Sequence, residues 1–220
     1  MILVEAGPRV LSAFPESLSA YALRALRRMH VEVRLSTSVE AVDANGVGTG
    51  DGRIEAGLVI WCAGVRGSPA GSWLGVPSTR LGTVPVTPDL SVAGHPEVFV
   101  VGDLAHVDGQ NGEPLPQLAT VAKQQGAFVA RVIGARIDGR TPPTKFVFRN
   151  PGSLAIIGRS SALVDFGWLR LTGFPAWIIW AFAHIFFLIG FRNRVTVFLE
   201  WAWEWFSYKR GARLMVDRRR

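Results

Sequence analysis

The sequence predicts an α/β fold followed by a C-terminal helical segment of a different character. Three observations support this fold class. The first 144 residues alternate short apolar runs with an amphipathic stretch and with turns rich in Gly and Pro, a pattern typical of alternating strands and helices. From residue 145 the runs become short strands separated by tight turns, which indicates antiparallel pairing. Residues 174–191 then contain no Asp, Glu, Lys or Arg, which marks a separate helical segment.

Composition limits the classes of function. The 220 residues have a formal net charge of +7 and a hydrophobic content of 49%, and eight basic residues face three acidic ones after position 191. Basic residues beside aromatic ones favour an anionic membrane surface, whereas no motif supports binding of nucleic acid. The single cysteine, Cys62, excludes an internal disulfide and a cysteine-cluster metal site. We expect no metal site, since none of the four histidines has ligand-like neighbours.

The chain opens with a short apolar strand that ends in an acid. Residues 2–4 are Ile-Leu-Val, Glu5 follows, and Ala-Gly-Pro breaks the run. This pattern is typical of the second strand of a dinucleotide-binding unit, where the acid accepts hydrogen bonds from the adenine ribose. Such a strand follows a G-x-G-x-x-G turn by about 20 residues, yet the sequence contains no such motif. We therefore expect an incomplete Rossmann-like fold; the alternative is that Glu5 only ends a surface strand.

The next elements continue this unit in chain order. A helix is predicted over residues 14–29, because its apolar residues share one face and its arginines the other. Short strands follow at "VEVRL", at "SVEAVDANGV" with a turn at residues 45–46, and at "LVIWCAG", where we expect Cys62 to be buried. Residues 66–97 are rich in Gly, Pro and Ser and predict a crossing between two domains.

A second apolar strand, "EVFVVGDLA", ends in Gly102-Asp103. A glycine at this point lets a ligand approach the backbone, and the carboxylate can accept hydrogen bonds from sugar-like hydroxyls. The helix predicted next, "LATVAKQQGAFVARVIG", has Pro116 near its first turn and Gly134 just past its end. Its positive N-terminal end would favour an anionic group over Asp103.

The remaining elements lead into the helical tail. Three short strands are predicted at "KFVFR", "GSLAIIGR" and "SALVDFG", with turns at residues 151–152 and 159–160. The uncharged stretch 174–191 would span about 27 Å as a helix, slightly less than a bilayer core. Aromatic and basic residues after it prefer the headgroup interface, which favours two interface-lying helices over a transmembrane span. We expect His184 to be a packed or interface residue.

Six motifs occur in the order seen in one family. They are "VEAGPRVL", "WCAGV", "VFVVGDLA", "PLPQLATVAKQQG", "GSLAIIGR" and "GFRNRV…WAW". The chain resembles type II NADH dehydrogenases, which are FAD-containing NADH:quinone oxidoreductases that sit on the membrane. The resemblance extends over nearly all 220 residues. It implies hydride transfer from NADH to FAD and transfer of two electrons to a membrane quinone, at the cytoplasmic face of the membrane.

The resemblance also implies roles on the NADH side. Glu5 would bind the adenine ribose of NADH and would disfavour the 2′-phosphate of NADPH, although nearby Arg9 leaves that preference open. Ala63 and Gly64 would lie where the nicotinamide meets the flavin. These three residues are the implied NADH-facing part of the site.

A second set of residues is implied on the FAD side. The Gly-Asp pair would hold the ribityl chain, and backbone amides at the start of the following helix would face the flavin ring. The residues in these roles are Gly102, Asp103, Leu118, Ala119 and Thr120. The family's A-Q-x-x-x-Q pattern corresponds to residues 119–124. Gln124 matches it and is the catalytic candidate near flavin and quinone, whereas Thr120 replaces the first glutamine. The alternative is that Gln124 and Gln125 are ordinary helix residues.

The resemblance also implies a division of the chain into three parts. Residues 1–79 would be the distal part of an NADH-binding domain, 80–144 the closing segment of an FAD-binding domain, and 145–220 the C-terminal strands and membrane-associating helices. Because both G-x-G-x-x-G units that would hold the diphosphates are missing, we expect the C-terminal half of such an enzyme, inactive alone. A missing N-terminal half or a homodimer could complete it. Two alternatives stay open: another two-dinucleotide flavoprotein reductase with a soluble acceptor, and a non-catalytic membrane-associated fragment.

Overall fold

The computed structural model describes residues 1–109, 112–188 and 190–207. Its elements, in chain order, are β1 Ile2–Val4, α1 Glu16–Arg28, β2 Glu32–Arg34, β3 Val39–Asp43, β4 Gly46–Thr49, β5 Gly52–Glu55, α2 Ala70–Leu74, β6 Val84–Pro85, β7 Ser91–Val92, β8 His95–Phe99, β9 Ala105–His106, α3 Ala119–Ile137, β10 Ser153–Gly158, β11 Ser161–Asp165, β12 Arg170–Thr172, α4 Gly173–Phe187 and α5 Phe191–Ser207. A short 3₁₀ turn, Gly102–Leu104, precedes β9. The chain divides into two compact units: unit A comprises residues 1–59 with the described residues from 152 onward, and unit B comprises residues 60–151.

In unit A, helix α1 packs its apolar face against strand β11. Leu18 and Ala22 of the helix are buried in one cluster with Val10 and Leu163. Leu18 and Ala22 are four residues apart and therefore share one face of the helix. The apolar side of this amphipathic helix is thus the side that faces the core. The helix predicted here is confirmed, and strands β1 and β2 pair in parallel next to it.

Strands β3, β4 and β5 form an antiparallel ribbon in unit A. Asp43 pairs with Gly46, so Ala44 and Asn45 make the two-residue turn of the first hairpin. Hydrogen bonds from the Arg53 guanidinium and from the Asn45 N–H hold the pKa of the Asp43 carboxyl below its usual range. The predicted antiparallel ribbon is confirmed, but its turn lies at residues 44–45 rather than at the predicted 45–46, because Gly46 already pairs with Asp43.

Strands β10, β11 and β12 form a second antiparallel sheet. The predicted turn at residues 159–160 is present, whereas residues 151–152, also predicted as a turn, are irregular. Helix α4 packs on this sheet, where Val164 and Ala176 are buried in one cluster. Helix α5 packs against α4, with Trp180 stacked on Trp201 at a centroid distance of 5.5 Å. Sheet and helices together form the C-terminal part of unit A.

The uncharged stretch 174–191 does not form one continuous helix. Helix α4 ends at Phe187, because Leu188 adopts extended backbone angles (φ −66°, ψ 138°), and α5 begins at Phe191. None of the helices in the described ranges has both the length and the apolar character needed to cross a membrane. The basic residues from position 208 onward, which we expect to face an anionic surface, lie outside the described residues.

The core of unit B forms around helix α3. Phe128 and Val132 of the helix are buried against Leu90 and Phe146. The rings of Phe128 and Phe146 meet edge to face at 5.7 Å, an arrangement that aromatic pairs prefer. Strands β6 and β9 pair in parallel, β7 and β8 pair antiparallel, and buried valines of β6 and β7 form a second cluster.

Two predicted strands are absent, and the reason is the lack of a partner. Residues 58–64 ("LVIWCAG") have no regular structure, and Cys62 is exposed rather than buried. Residues 145–149 ("KFVFR") are also irregular, although Phe146 is buried and its N–H donates to the Pro88 carbonyl at 2.8 Å. A strand needs a hydrogen-bonded neighbour, and no described strand pairs with either segment.

The end of helix α3 also differs from the prediction. Gly134 lies inside the helix rather than past its end, since α3 continues to Ile137. The apolar face of the helix remains in use beyond Gly134, because Ala135 is buried. Asp138 is the C-cap, and Gly139 adopts the left-handed conformation (φ +65°) that commonly follows a helix end.

The carboxylate of Asp89 accepts the hydrogen bonds that stabilise the loop before β7 in unit B. Its Oδ1 accepts hydrogen bonds from the Thr87 hydroxyl at 2.6 Å and the Ser91 hydroxyl at 2.7 Å, and its Oδ2 accepts one from Arg136 at 3.2 Å. Burial by itself would raise the pKa of Asp89, but the hydrogen bonds from Thr87 and Ser91 and the charge of Arg136 outweigh it and lower the pKa. Such a carboxyl stabilises the fold above its unfolded-state pKa and loses this contribution as the pH falls through its folded-state pKa.

We expect Asp89→Asn to lower the free energy of unfolding by about 2 kcal/mol near neutral pH, the scale of hydrogen bonds to a charged group. The difference from wild type should narrow as the pH falls below about 3.9, the ordinary Asp value, because the unfolded-state carboxyl is protonated there and the folded-state carboxylate follows at its lower pKa. Urea denaturation at neutral and acidic pH measures both effects. Asp51→Asn in an exposed turn is the control. A loss that does not change with pH would contradict the role assigned to Asp89.

Candidate functional site

The Gly102-Asp103 turn follows strand β8, which ends at Phe99, earlier than the sequence predicts. Gly102 has a φ of +70°, in the left-handed region that favours glycine. A Cβ at this position would lie 3.4 Å from the Cβ of Ala122. The backbone conformation therefore favours glycine here, and a Cβ would be in van der Waals contact with helix α3.

Two glutamines hold this turn against the start of α3. The Gly102 N–H donates a hydrogen bond to Oε1 of Gln125 at 2.6 Å, and Gln125 is only 1% exposed. Nε2 of Gln117 donates to the Asp103 carbonyl oxygen at 2.7 Å. Side chains from both sides of the helix start thus fix the backbone of both turn residues.

Gln125 is a site residue that sequence patterns did not single out. Val121, Gln125, Phe128 and Val132 are all buried on α3, so Gln125 occupies an apolar face at helical spacing. A buried amide on such a face needs a hydrogen-bond partner. This requirement is the signal that could have indicated its role.

Helix α3 begins with accessible backbone donors. Leu118 is the N-cap, no side chain caps the helix, and its first turn contains no acid. The N–H groups of Ala119 and Thr120 make no hydrogen bond within the described part of the chain. Because Leu118 and Ala119 are exposed, the partial positive charge of the helix end is open to a ligand.

The carboxylate of Asp103 is also available to a ligand. Asp103 is exposed, and among the described residues its side chain has no hydrogen-bond or ion-pair partner. Carboxylate oxygens accept hydrogen bonds from hydroxyl groups. Since the Asp103 backbone is already held by Gln117, little additional ordering of the turn is needed when a ligand binds.

Ala63 and Gly64 line an open cleft of about 640 Å³ within unit B. Gln117 lines the same cleft, so the structure brings these two residues together with the side chain that binds the Asp103 backbone. The other lining residues are Trp61, Val65, Arg66, Arg80 and Leu81. The cleft therefore combines apolar, aromatic and cationic side chains beside the start of α3.

Glu5 lies in unit A, directly after strand β1. Its N–H donates to the Arg34 carbonyl oxygen at 2.9 Å, which places it at the carboxyl end of the parallel pair β1–β2. Its Oε1 accepts a hydrogen bond from the Gly7 N–H at 2.8 Å. One carboxylate oxygen is thus held by the following turn, and the other is left for a ligand hydroxyl.

The side chain of Gln124 contacts backbone rather than another side chain. Nε2 of Gln124 donates to the Arg149 carbonyl oxygen at 2.9 Å, and its Oε1 accepts from the Arg149 N–H at 3.0 Å. This paired arrangement holds the irregular segment 145–149 on α3. Within the described ranges, no group of three or more His, Cys, Asp or Glu side chains is arranged to hold a metal ion.

Comparison with known families decides the assignment of the fold. Residues 1–126 match the family model described as pyridine nucleotide-disulphide oxidoreductase, and residues 151–208 match the NDH2 C-terminal domain. The chain belongs to the pyridine nucleotide-disulphide oxidoreductase family. The α/β dinucleotide-binding fold class predicted from the sequence is thereby confirmed.

Individual relatives within this family agree with the motif-based resemblance. The chain is 37% identical over 228 residues to the type II NADH:quinone oxidoreductase Ndh of Mycobacterium tuberculosis, with 99% of this chain and 48% of that protein covered. It is 38% identical over 224 residues to NdhA of the same organism, covering 96% and 47%. The resemblance to type II NADH dehydrogenases is confirmed, and the chain spans about half the length of these relatives.

Solved structures show the same oxidoreductase fold. NDH2 from Plasmodium falciparum in complex with NADH superposes with a TM-score of 0.81 at 16% identity, covering 92% of this chain and 57% of that one. A pyridine nucleotide-disulphide oxidoreductase from Desulfovibrio vulgaris superposes with a TM-score of 0.57 at 21% identity, covering 74% and 42%. At these identities the likeness concerns the fold.

Gln125→Leu should lower the free energy of unfolding of unit B more than Gln124→Leu does. The first change leaves the Gly102 N–H without its buried partner, at a cost of about 1–3 kcal/mol, whereas the Arg149 backbone released by the second is exposed to water. Urea denaturation compares the two free energies of unfolding. Hydrogen exchange of the Gly102 amide should accelerate only in Gln125→Leu; equal acceleration in both variants would contradict the assigned contact.

Proposed function

We propose that this chain forms part of an FAD-dependent NADH:quinone oxidoreductase. Residues 1–79 contribute to NADH binding, 80–144 close the FAD site, and 145–220 associate with the membrane. The observation that carries the proposal is the Gly102-Asp103 turn, held by Gln117 and Gln125 at the uncapped start of α3. FAD, when bound, supplies the acceptor for a hydride from NADH and the carrier of two electrons to a quinone.

The residues around the turn fit a flavin. The Asp103 carboxylate is exposed and would accept hydrogen bonds from the ribityl hydroxyls. The amides of Ala119 and Thr120, next to Leu118, would donate to the edge of the ring that becomes negative on reduction. An acid in the first turn of α3 would oppose this charge, and none is present.

In each unit, considered by itself, some residues fit one part of a dinucleotide. In unit A, Glu5 offers a carboxylate oxygen to the adenine ribose while Gly7 holds the other oxygen, and its charge disfavours an added 2′-phosphate. In unit B, Ala63 and Gly64 present little side-chain bulk to the cleft, which leaves room for the flat nicotinamide ring. Gln124 acts near the quinone side of this site by fixing the backbone of Arg149.

Completion of the site needs groups that this sequence does not carry. The chain contains no G-x-G-x-x-G turn, the element that binds the diphosphates of FAD and NADH at a helix start. We expect the pure 220-residue chain to hold FAD substoichiometrically and not to oxidise NADH. Co-expression with the N-terminal half of the M. tuberculosis relative Ndh should restore flavin binding and NADH:quinone reductase activity. Stoichiometric FAD on the chain alone would contradict this proposal.

Asp103→Asn tests the flavin contact in the complemented enzyme. Loss of the charged acceptor should weaken FAD binding by about tenfold or more, as expected for hydrogen bonds to a charged group. Ultrafiltration followed by flavin fluorescence measures the retained FAD. Asp108→Asn, at another exposed acid of unit B, is the matched control and should retain FAD as the wild type does. Equal retention in both variants would overturn the role of Asp103.

Exposed aromatic residues support membrane-surface association of helices α4 and α5. Phe182, Phe191, Trp203 and Phe206 are each at least 64% exposed, and aromatic side chains favour the interface between headgroups and acyl chains. Arg192 and Arg194 begin the basic segment that follows and would attract anionic lipid. The quinone would come from the membrane, at its cytoplasmic face.

We expect the pair of changes Trp203→Ser and Phe206→Ser to weaken binding to anionic phospholipid vesicles by at least about tenfold, because each buried aromatic side chain contributes about 1.5–3 kcal/mol. Co-sedimentation of the full chain with vesicles measures this. Trp168→Ser is the matched control, since Trp168 is 84% exposed but lies in the turn before β12. Unchanged sedimentation of the double variant would rule out this face as the membrane-binding surface.

A further inference from the structure

The guanidinium of Arg9 holds the loop that follows Glu5. Its Nη2 donates a hydrogen bond to the Ser12 carbonyl oxygen at 2.9 Å, and its Nη1 donates to the Phe14 carbonyl oxygen at 3.1 Å. Within the described part of the chain Arg9 makes no ion pair, so it does not neutralise the charge of Glu5. An arginine near such an acid could accept a 2′-phosphate, but this one is engaged with the backbone of its own loop.

The loop over residues 9–14 is anchored to helix α1. Val10 is buried in the core cluster beside the helix, and the hydroxyl of the buried Ser19 donates to the Val10 carbonyl oxygen. Leu11 adopts a φ of +51°, a conformation that is unfavourable for residues other than glycine. Contacts on either side of Leu11 must therefore hold it in place, and the two hydrogen bonds from Arg9 are among them.

The start of the same loop sets the orientation of the Glu5 carboxylate. The Gly7 N–H donates to Oε1 of Glu5 at 2.8 Å, and the Gly7 carbonyl oxygen accepts from the Ser36 N–H at 2.9 Å. A Cβ on Gly7 would lie 3.2 Å from Oε1 of Glu5, so the backbone passes the carboxylate closely. The backbone that orients Glu5 is therefore held at Ser36 on one side and by Arg9, two residues after Gly7, on the other.

A second arginine beside this turn is engaged as well. Arg34 ends strand β2, where its carbonyl oxygen accepts the Glu5 N–H at 2.9 Å. Its Nε donates to Oε1 of Glu32 at 2.7 Å, so its charge is compensated. A 2′-phosphate would thus meet the negative charge of Glu5, and moving Arg9 or Arg34 toward it would break existing hydrogen bonds.

We propose that Arg9 is a positioning residue for the adenine ribose, which acts through Glu5 and is not a ligand of a 2′-phosphate. The inference rests on the proposed function, because Glu5 is the residue assigned to that ribose. Arg9 fixes the loop, the loop presents Gly7, and Gly7 holds one oxygen of the Glu5 carboxylate. The carboxylate is therefore oriented before the ribose hydroxyls arrive. Neutralising Glu5 alone does not make the enzyme use NADPH, because Arg9 remains engaged.

Kinetics of the complemented enzyme test this role. Arg9→Gln should raise KM for NADH at least about fivefold with kcat within about twofold, because ribose binding weakens equally in the ground state and the transition state. With reduced nicotinamide mononucleotide, which lacks the adenine ribose, kcat/KM should match the wild type. Arg24→Gln on the exposed face of α1 removes the same charge and should leave the kinetics with both substrates unchanged. An equal loss with both substrates in Arg9→Gln would overturn the positioning role.

Combination with Glu5→Gln separates positioning from direct phosphate binding. In that background, adding Arg9→Gln should raise KM for NADH less than about twofold, since the residue through which Arg9 acts has already been changed. The kcat/KM of Glu5→Gln for NADPH should remain at least about tenfold below the wild-type value for NADH, and adding Arg9→Gln should not lower it further. Efficient use of NADPH by Glu5→Gln, and its loss in the double variant, would make Arg9 a phosphate ligand and overturn the inference.

Hydrogen exchange of the full 220-residue chain, with no cofactor added, tests the contact independently of activity. The Gly7 amide should exchange at least about fivefold faster in Arg9→Gln than in wild type, whereas exchange of the Ala22 amide inside α1 should be unchanged. Equal acceleration at both amides would make Arg9 a general stabiliser of unit A and overturn the positioning role, as would unchanged exchange at Gly7. Faster exchange at Gly7 alone, with no NADH oxidation by the complemented enzyme, would reject the proposed function while supporting the role of Arg9 in the loop.

Discussion

The hydrogen bond from the Gly102 amide to the buried Gln125 side chain is the contact on which the candidate flavin site depends. Gly102 lies in a 3₁₀ turn outside the strands and adopts a left-handed backbone conformation, so its N–H has no strand partner and needs another acceptor. Gln125 supplies it from the buried face of α3, which in turn packs through Phe128 on the core of unit B. The packing of the core, the position of α3 and the geometry of the turn are therefore coupled through the side-chain amide of Gln125.

The sequence predicts most elements of unit A but fewer of unit B, for a physical reason. Helix α1 and the ribbon β3–β5 are specified by local patterns, namely an apolar helix face and a two-residue turn beside Gly46. The segment around Cys62 has an equally strong strand pattern, yet it is irregular because no described strand pairs with it. An apolar run indicates that a segment can form a strand, but the strand forms only when another strand is available to pair with it.

The candidate site shows the same division between local and non-local information. Glu5 at a strand end and Gly102-Asp103 at a turn are visible in the sequence, because each follows a short apolar run. The role of Gln125 is not visible in the sequence, because it depends on a contact between segments that are distant in the chain. The side chain of Gln117 binds the Asp103 carbonyl oxygen and also lines the cleft, so one glutamine connects the turn with the cleft.

Composition alone does not show which aromatic residues of helices α4 and α5 are packed and which are exposed. Its aromatic residues serve two physical purposes: Trp180 and Trp201 stack between α4 and α5, whereas Trp203 and Phe206 project from α5 into solvent. The end of α5 is held to the sheet, because Arg159 in the turn between β10 and β11 donates to the Glu204 carbonyl oxygen at 2.9 Å. A helix held in this way keeps its exposed aromatic side chains in a defined orientation. An ordered aromatic face loses less conformational entropy at an interface than a freely moving chain does, so the contact between α5 and the sheet of unit A would favour the proposed membrane binding.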